Sequence, residues 1–168
     1  MRQTDIRAVA REDLAALELT FRSEFNRTHA DDLADQALGE KSFLVAWVND
    51  EPVGHVLVNW QGARQPEPAA AFPGCPEIFR MAVLEPYRRR GIATALARAC
   101  ETEARQRGHV RIGLGTDPAV PEEKNLYIGL GYVDSGIGLF DDVYKVTRED
   151  GVHTVRAVTK FLIKQLAQ

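Results

Sequence analysis

The stretch Glu77-Ile78-Phe79-Arg80-Met81-Ala82-Val83-Leu84-Glu85-Pro86-Tyr87-Arg88-Arg89-Arg90-Gly91-Ile92-Ala93 decides how this chain is read. A strand over Glu77–Leu84 ends because Pro86 cannot continue it. A long helix opens near Gly91. A strand, a turn and a helix in this order leave free backbone N–H groups at the helix start. Those donors and the helix dipole together form an anion site. Gly91, without a Cβ, lets a ligand approach the backbone closely. Ala93 keeps the approach unobstructed, and Arg88, Arg89 and Arg90 add positive charge beside it.

Downstream of the turn, Arg90–Arg107 is the strongest helix signal. Ile92, Leu96, Ala99 and Cys100 share one face and Gly108 marks the end. Val110–Leu114 predicts a strand. Pro121–Leu130 predicts a helix, with Pro in the first turn and Gly131 as its stop. Gly129 inside the last turn is unusual there and should weaken the helix by roughly 0.5–1 kcal/mol relative to Ala. Tyr132–Asp134 begins a further strand, and Gly136–Asp142 reads as a loop. Tyr144–Thr147 and Val152–Val155 flank a hairpin turn, and Thr159–Leu166 extends the last strand.

Upstream, Gln61–Pro76 is rich in Pro, Ala and Gly and predicts a surface loop, a candidate flap on the substrate side. Ser42–Val48 and Pro52–Trp60 form a hairpin through Asn49-Asp50-Glu51. A helix is predicted over Asp31–Leu38. Another is predicted over Arg11–Phe25 from the spacing of Leu14, Leu17, Phe21 and Phe25. Ile6–Val9 is a first strand. The alternation of elements indicates α/β or α+β architecture.

The 168 residues suit one domain, 1–168, with an extended hairpin or tail over about 135–168. A formal net charge of −3 argues against bulk capture of nucleic acid. Cys75 and Cys100 form no CxxC pair and the four histidines fall in no ligand spacing, so no metal is expected. No apolar run approaches the ~18 residues that cross a bilayer. Met1 to Asp5 lacks the apolar core of a leader. The expectation is a cytoplasmic protein with no membrane partner, either monomeric or homodimeric.

A Walker A loop would need Gly-Lys-Ser/Thr, which is absent. A dinucleotide fold would need GxGxxG after the first strand; Gly113-x-Gly115 is only a fragment of one. Arg88-x-x-Gly91-x-Ala93, placed after Ala82-Val83-Leu84-x-Pro86, instead resembles the signature of the GNAT N-acetyltransferases. Leu126-Tyr127-x-x-x-Gly131-Tyr132 is similar to that family's Leu-Tyr-x-x-x-Gly-Phe landmark. The resemblance runs from Ile6 to Val133. It implies the family's fold: a mixed, mostly antiparallel sheet of about six to seven strands, flanked by about four helices and splayed between the fourth and fifth strands.

The resemblance also implies a site. Acetyl-CoA would be the co-substrate. Its pyrophosphate would lie on the backbone of Arg88, Arg89, Arg90, Gly91, Ile92, Ala93 and Thr94, and its pantetheine arm along Met81, Ala82 and Val83. Tyr127 matches the tyrosine that protonates the leaving thiolate. Glu77 is the first candidate for the base that takes the amine's proton, with His55 as its competitor; Asp117 is a weaker acceptor contact. Many relatives carry Asn where this chain has Val120; Asn125 stands elsewhere, so that pantetheine contact is not transferred. Cys75 and Cys100 are poor acyl carriers. Asp31, Asp32, Asp35, Asp141 and Asp142 make the segments around the acceptor acidic, which would suit a cationic amine. The reading is acetyl transfer to a small-molecule amine. Transfer to a protein lysine or N-terminus, and a non-catalytic acyl-CoA sensor, are the alternatives.

Overall fold

The computed structural model describes residues 3–22 and 25–167. Strands β1 (Asp5–Ala8), β2 (Lys41–Val48), β3 (Glu51–Asn59), β4 (Glu77–Val83), β5 (Arg111–Thr116), β6 (Val133–Arg148) and β7 (Gly151–Gln165) make one sheet. Their order is β1-β2-β3-β4-β5-β7-β6. Only β4 and β5 run parallel; the other neighbours are antiparallel. The helices are α1 (Leu14–Thr20), α2 (His29–Ala37), α3 (Pro66–Ala71), α4 (Ile92–Gln106) and α5 (Pro121–Gly129). The expected fold class therefore holds, with five helices instead of about four.

β2 is apolar without alternation because both faces of the sheet are covered. Leu44, Ala46 and Val48 enter one core with Ile92, Leu96, Cys100 and Ala104 of α4. Phe43, Val45 and Trp47 enter the other, with Leu17 of α1 and Phe79 of β4. Gly54 on β3 allows α4 to sit close: a Cβ there would lie 3.1 Å from the Ala82 carbonyl and 3.3 Å from both Ile92 and Leu96. Gly113 and Gly115 make room for Phe161 and Thr159 of β7, so their spacing is a packing feature.

Two irregularities in β4 shape the site. β4 and β5 pair only at Glu77↔Gly113 and Ile78↔Leu114, so the sheet opens beyond Ile78, at the splay expected between the fourth and fifth strands. On the other side, His55 pairs with Ala82 and Leu57 with Phe79. Arg80 and Met81 thus stand opposite Val56 alone, a bulge, and Arg80 takes a positive φ of 50°.

Several boundaries differ from expectation. The Arg11–Phe25 helix is a 3-10 turn, Arg11–Asp13, followed by α1. Asp13 anchors that turn by accepting from the Ala10 amide at 2.8 Å and from Arg7 at 2.7 Å. At Phe21 the chain leaves helical geometry (φ −120°, ψ 86°). Ser23 and Glu24 of the expected helix, and Met1 and Arg2 of the leader reading, lie outside the described residues. α2 begins at His29, not Asp31, because Thr28 and Asp31 form a capping box. Asp31 is thereby a capping group.

The expected Gln61–Pro76 loop contains α3, whose Pro66 suits a first helical position. The expected Gly136–Asp142 loop belongs to β6. Gly136 and Gly138, at φ 85° and 80°, absorb a register shift between Asp134 and Leu139, and pairing with β7 resumes. Among the described residues no helix is long and apolar enough to cross a membrane.

Candidate functional site

The turn from β4 to α4 presents its donors outward. Gly91 is the N-cap of α4 at φ 79° and ψ 9°, with no side-chain cap. Arg89 also has positive φ, 62°. The first intrahelical bond runs from the Ala95 amide to the Gly91 carbonyl at 3.0 Å. Among the described residues, the amides of Arg89 through Thr94 have no acceptor. Arg88, Arg89, Arg90 and Gly91 are exposed, Ala93 and Thr94 half-buried, and Ile92 is buried as the anchor. Arg88 donates from Nε to the Val83 carbonyl at 3.0 Å, and the Arg90 guanidinium lies 5.4 Å from the Tyr87 ring centre. These adjacent amides, with the helix dipole behind them, form a cradle for a diphosphate.

Met81 in the bulge and Ala82 and Val83 after it are half-buried on the splayed part of β4, where no β5 partner takes their edge. Tyr127 of α5 reaches this region from the α4 side. Its hydroxyl contacts Met81 Sδ at 3.4 Å, and its ring stands edge-on to Tyr132 with centres 5.7 Å apart. Burial, then the charges of Glu123 and Cys100, push the Tyr127 phenol well above its ordinary range. It therefore stays protonated and can donate. Val120 is the N-cap of α5 and offers no side-chain cap, so the missing Asn has no local substitute.

On the opposite face, a cleft of roughly 250 Å³ reaches the same strand. Phe21, Phe25, Phe43 and His29 line it, with His55 of β3 and Arg80, Met81 and Ala82 of β4. Met81 thus meets both this cleft and Tyr127. His55 packs edge-on to Phe21 at 4.7 Å, and its Nδ1 is buried without a hydrogen-bond partner among the described residues. Burial, with His29 and Arg80 adding positive charge, pushes His55 down to about 4, against a smaller opposing effect of its bond to the Arg80 backbone. It is a neutral base at pH 7.

Glu77 sits on this side of the sheet but does not line the cleft. It is 2% exposed, and Arg64 covers it, with Nε 2.6 Å and the amide 3.2 Å from Oε1. Burial raises its carboxyl above the usual range and Arg64 partly offsets that. Arg64 also reaches Asp142 at 3.3 Å, and Gln65 donates to Asp142 at 2.9 Å. This network ties the segment before α3 to β6.

The acidic segments are mostly neutralised. Asp32 is shared by Arg27 and Arg80, and Asp35 by Arg27 and Lys41. Asp117 accepts from the Ala119 amide at 2.8 Å, a local turn. Both cysteines are free and buried, with their thiols raised by desolvation, Cys75 to about 11. Neither is primed as a nucleophile. Among the described residues, no cluster of His, Cys, Asp and Glu could hold a metal.

Sequence reasoning missed the Arg80–Asp32–His29 group. These residues meet only because β4 bulges and α2 folds over it. Comparison with known proteins bears on the whole arrangement. The family model described as "Acetyltransferase (GNAT) family" matches residues 11–132. No curated protein matches the sequence. Among solved structures, Arabidopsis thaliana NAA60 in complex with acetyl-CoA is similar at TM-score 0.72 and 16% identity, covering 98% of this chain and 99% of that one. An N-acetyltransferase from Staphylococcus aureus Mu50 is similar at TM-score 0.69 and 19% identity, covering 98% and 99%. The putative acetyltransferase yncA from Salmonella typhimurium, with its cofactor acetyl-CoA, gives TM-score 0.67 and 20% identity, covering 99% and 95%.

Proposed function

The chain belongs to the acetyltransferase (GNAT) family, and on that premise we propose that it transfers the acetyl group of acetyl-CoA directly to a primary amine of a small molecule. The observation that carries the reading is the row of amides from Arg89 to Thr94 without acceptors, one strand away from an aromatic-lined cleft. The pyrophosphate lies on those amides. The pantetheine arm pairs with Met81–Val83 along the edge that β5 leaves open. That path brings the thioester to Met81, between Tyr127 and the cleft. Strand amides polarise its carbonyl as the amine attacks, and Tyr127 donates to the departing thiolate.

Attack needs a neutral amine. His55 lines the cleft and its Nδ1 has no hydrogen-bond partner among the described residues, and this position favours it as the group that accepts the proton. Glu77, the residue expected from sequence, is reached only if Arg64 swings aside. Glu77→Gln and His55→Gln, compared by pH–rate profile, separate the two: loss of the acidic limb identifies the base. A small acceptor is favoured by the cleft's size and by its aromatic lining. The test is thiol release from acetyl-CoA over a panel of small amines and of peptides with free lysines or N-termini. Turnover confined to the peptides would overturn the small-molecule assignment.

A further inference from the structure

Arg80 is held in an unusual way. It occupies the β4 bulge at φ 50°, a backbone region that costs an L residue energy. Its side chain is 15% exposed. The guanidinium carbon lies 4.2 Å from the centre of the Phe25 ring and 5.5 Å from that of Phe79. Two aromatic rings at these distances restrict the orientation of its donors. Yet the guanidinium makes no hydrogen bond among the described residues. Its nearest carboxylate oxygen, on Asp32, is 3.5 Å away, and Nε is buried with no partner. Arg64 shows the contrast, with its Nε 2.6 Å from Glu77. A buried Nε left without an acceptor, beside an ion pair as long as the one to Asp32, costs stability, and such a donor persists where a ligand supplies the acceptor.

We propose that Arg80 receives a carboxylate carried by the acceptor, so that the substrate is an amine that also bears a carboxylate on a mainly apolar frame, of amino-acid size. The inference rests on the acetyl-transfer reading above. Arg80 and Met81 are consecutive, so the carboxylate site and the site of attack are neighbours on one strand. The amine and the carboxylate must then be close together on the substrate. Phe21, Phe25 and Phe43 provide the wall for an apolar side chain. Among the described residues, Asp32 is the one carboxylate lining the cleft, and Arg27 and Arg80 already share it. Arg22 at the rim adds a further positive charge. A polycation would find repulsion in this cleft, and a zwitterion finds a partner for each end.

The test compares kcat/KM for thiol release with apolar L-amino acids, their carboxamides and the corresponding bare amines such as phenethylamine. The free acids should be better by at least tenfold. In a second arm, 3-phenylpropionate should inhibit competitively against the amine, and Arg80→Gln should weaken that inhibition at least tenfold, with the coenzyme-induced melting shift as the control for folding. Should the variant not fold, the wild-type comparison and inhibition by 3-phenylpropionate against its uncharged amide decide alone. Carboxamides or bare amines used equally well would overturn the inference and leave acetyl transfer standing. If none of the three sets were acetylated by protein that binds the coenzyme, the reading of a small-amine acetyltransferase would fall, and the inference with it.

Discussion

Gly54→Ala tests how tightly the cofactor turn is coupled to the sheet. The added methyl would meet the Ala82 carbonyl at 3.1 Å, Ile92 Cγ2 at 3.3 Å and Leu96 Cδ1 at 3.3 Å. Gly54 lies outside the positive-φ residues, so the backbone itself tolerates Ala. The carbonyl is fixed in the ladder and both side chains are buried, so α4 must shift by a few tenths of an ångström. Overpacking of this kind costs about 1–3 kcal/mol. Replacing Gly in a strand returns roughly 0.5–1 kcal/mol. The net loss is about 0.5–2 kcal/mol, or roughly 1–8 °C in Tm for a chain of this size. Because Ile92 opens α4, the same shift moves the amides that face the diphosphate, and the Kd for coenzyme A should rise about tenfold or less. Thermal melts and calorimetric titration read both effects. Gly129→Ala is the control: it lies outside the positive-φ glycines and has nothing within 4 Å of a new Cβ, and it should stabilise by a few tenths to ~1 kcal/mol. An undiminished Tm and unchanged coenzyme affinity in Gly54→Ala would refute the coupling.

Tyr127→Phe removes a hydroxyl whose hydrogen-bond partner is Met81 Sδ at 3.4 Å. Stability and coenzyme affinity should hardly change while kcat falls by about 10²–10⁴-fold, the range for a general acid; equal turnover would remove Tyr127 from the mechanism. His55 has its pKa at about 4 in the fold against about 6.5 when unfolded. Between those values the unfolded chain binds the extra proton, so stability should fall as pH drops from about 6.5 towards 4, by at most roughly 3 kcal/mol. Urea titrations at several pH values should show this slope, and His55→Gln should flatten it. Arg64→Met leaves Glu77 buried without its partner and should cost about 3 kcal/mol at pH 7, recovered in part by adding Glu77→Gln; additive losses in the double variant would contradict the pairing.

The strand, turn and helix around Gly91 were legible because backbone chemistry dictates them. Proline stops the strand, a glycine adopts positive φ, and the apolar face of Ile92, Leu96 and Cys100 has one period. The hairpins β2–β3 and β6–β7 were legible for similar local reasons. What escaped was non-local. Phe21 and Phe25 fit a helical spacing, but their partners are His55 in the cleft and Val146 in β6. Gly136 and Gly138 signal a break, but in this fold they bend a strand that β7 holds on both sides of the bulge. Nothing local to Arg80 announces positive φ; it comes from the mismatch of one residue between β3 and β4. The acidic residues read as a charged rim because their cationic partners, Arg27, Arg64 and Arg80, come from other segments.

Whether the turn before α4 holds the diphosphate is decided by a ¹⁵N–¹H titration of the protein with coenzyme A, read at the backbone amides from Arg89 to Thr94. Large shifts there, saturating with the binding curve and matched by slowed hydrogen exchange, are the predicted result. Amides that stay unperturbed while the coenzyme binds elsewhere would contradict it.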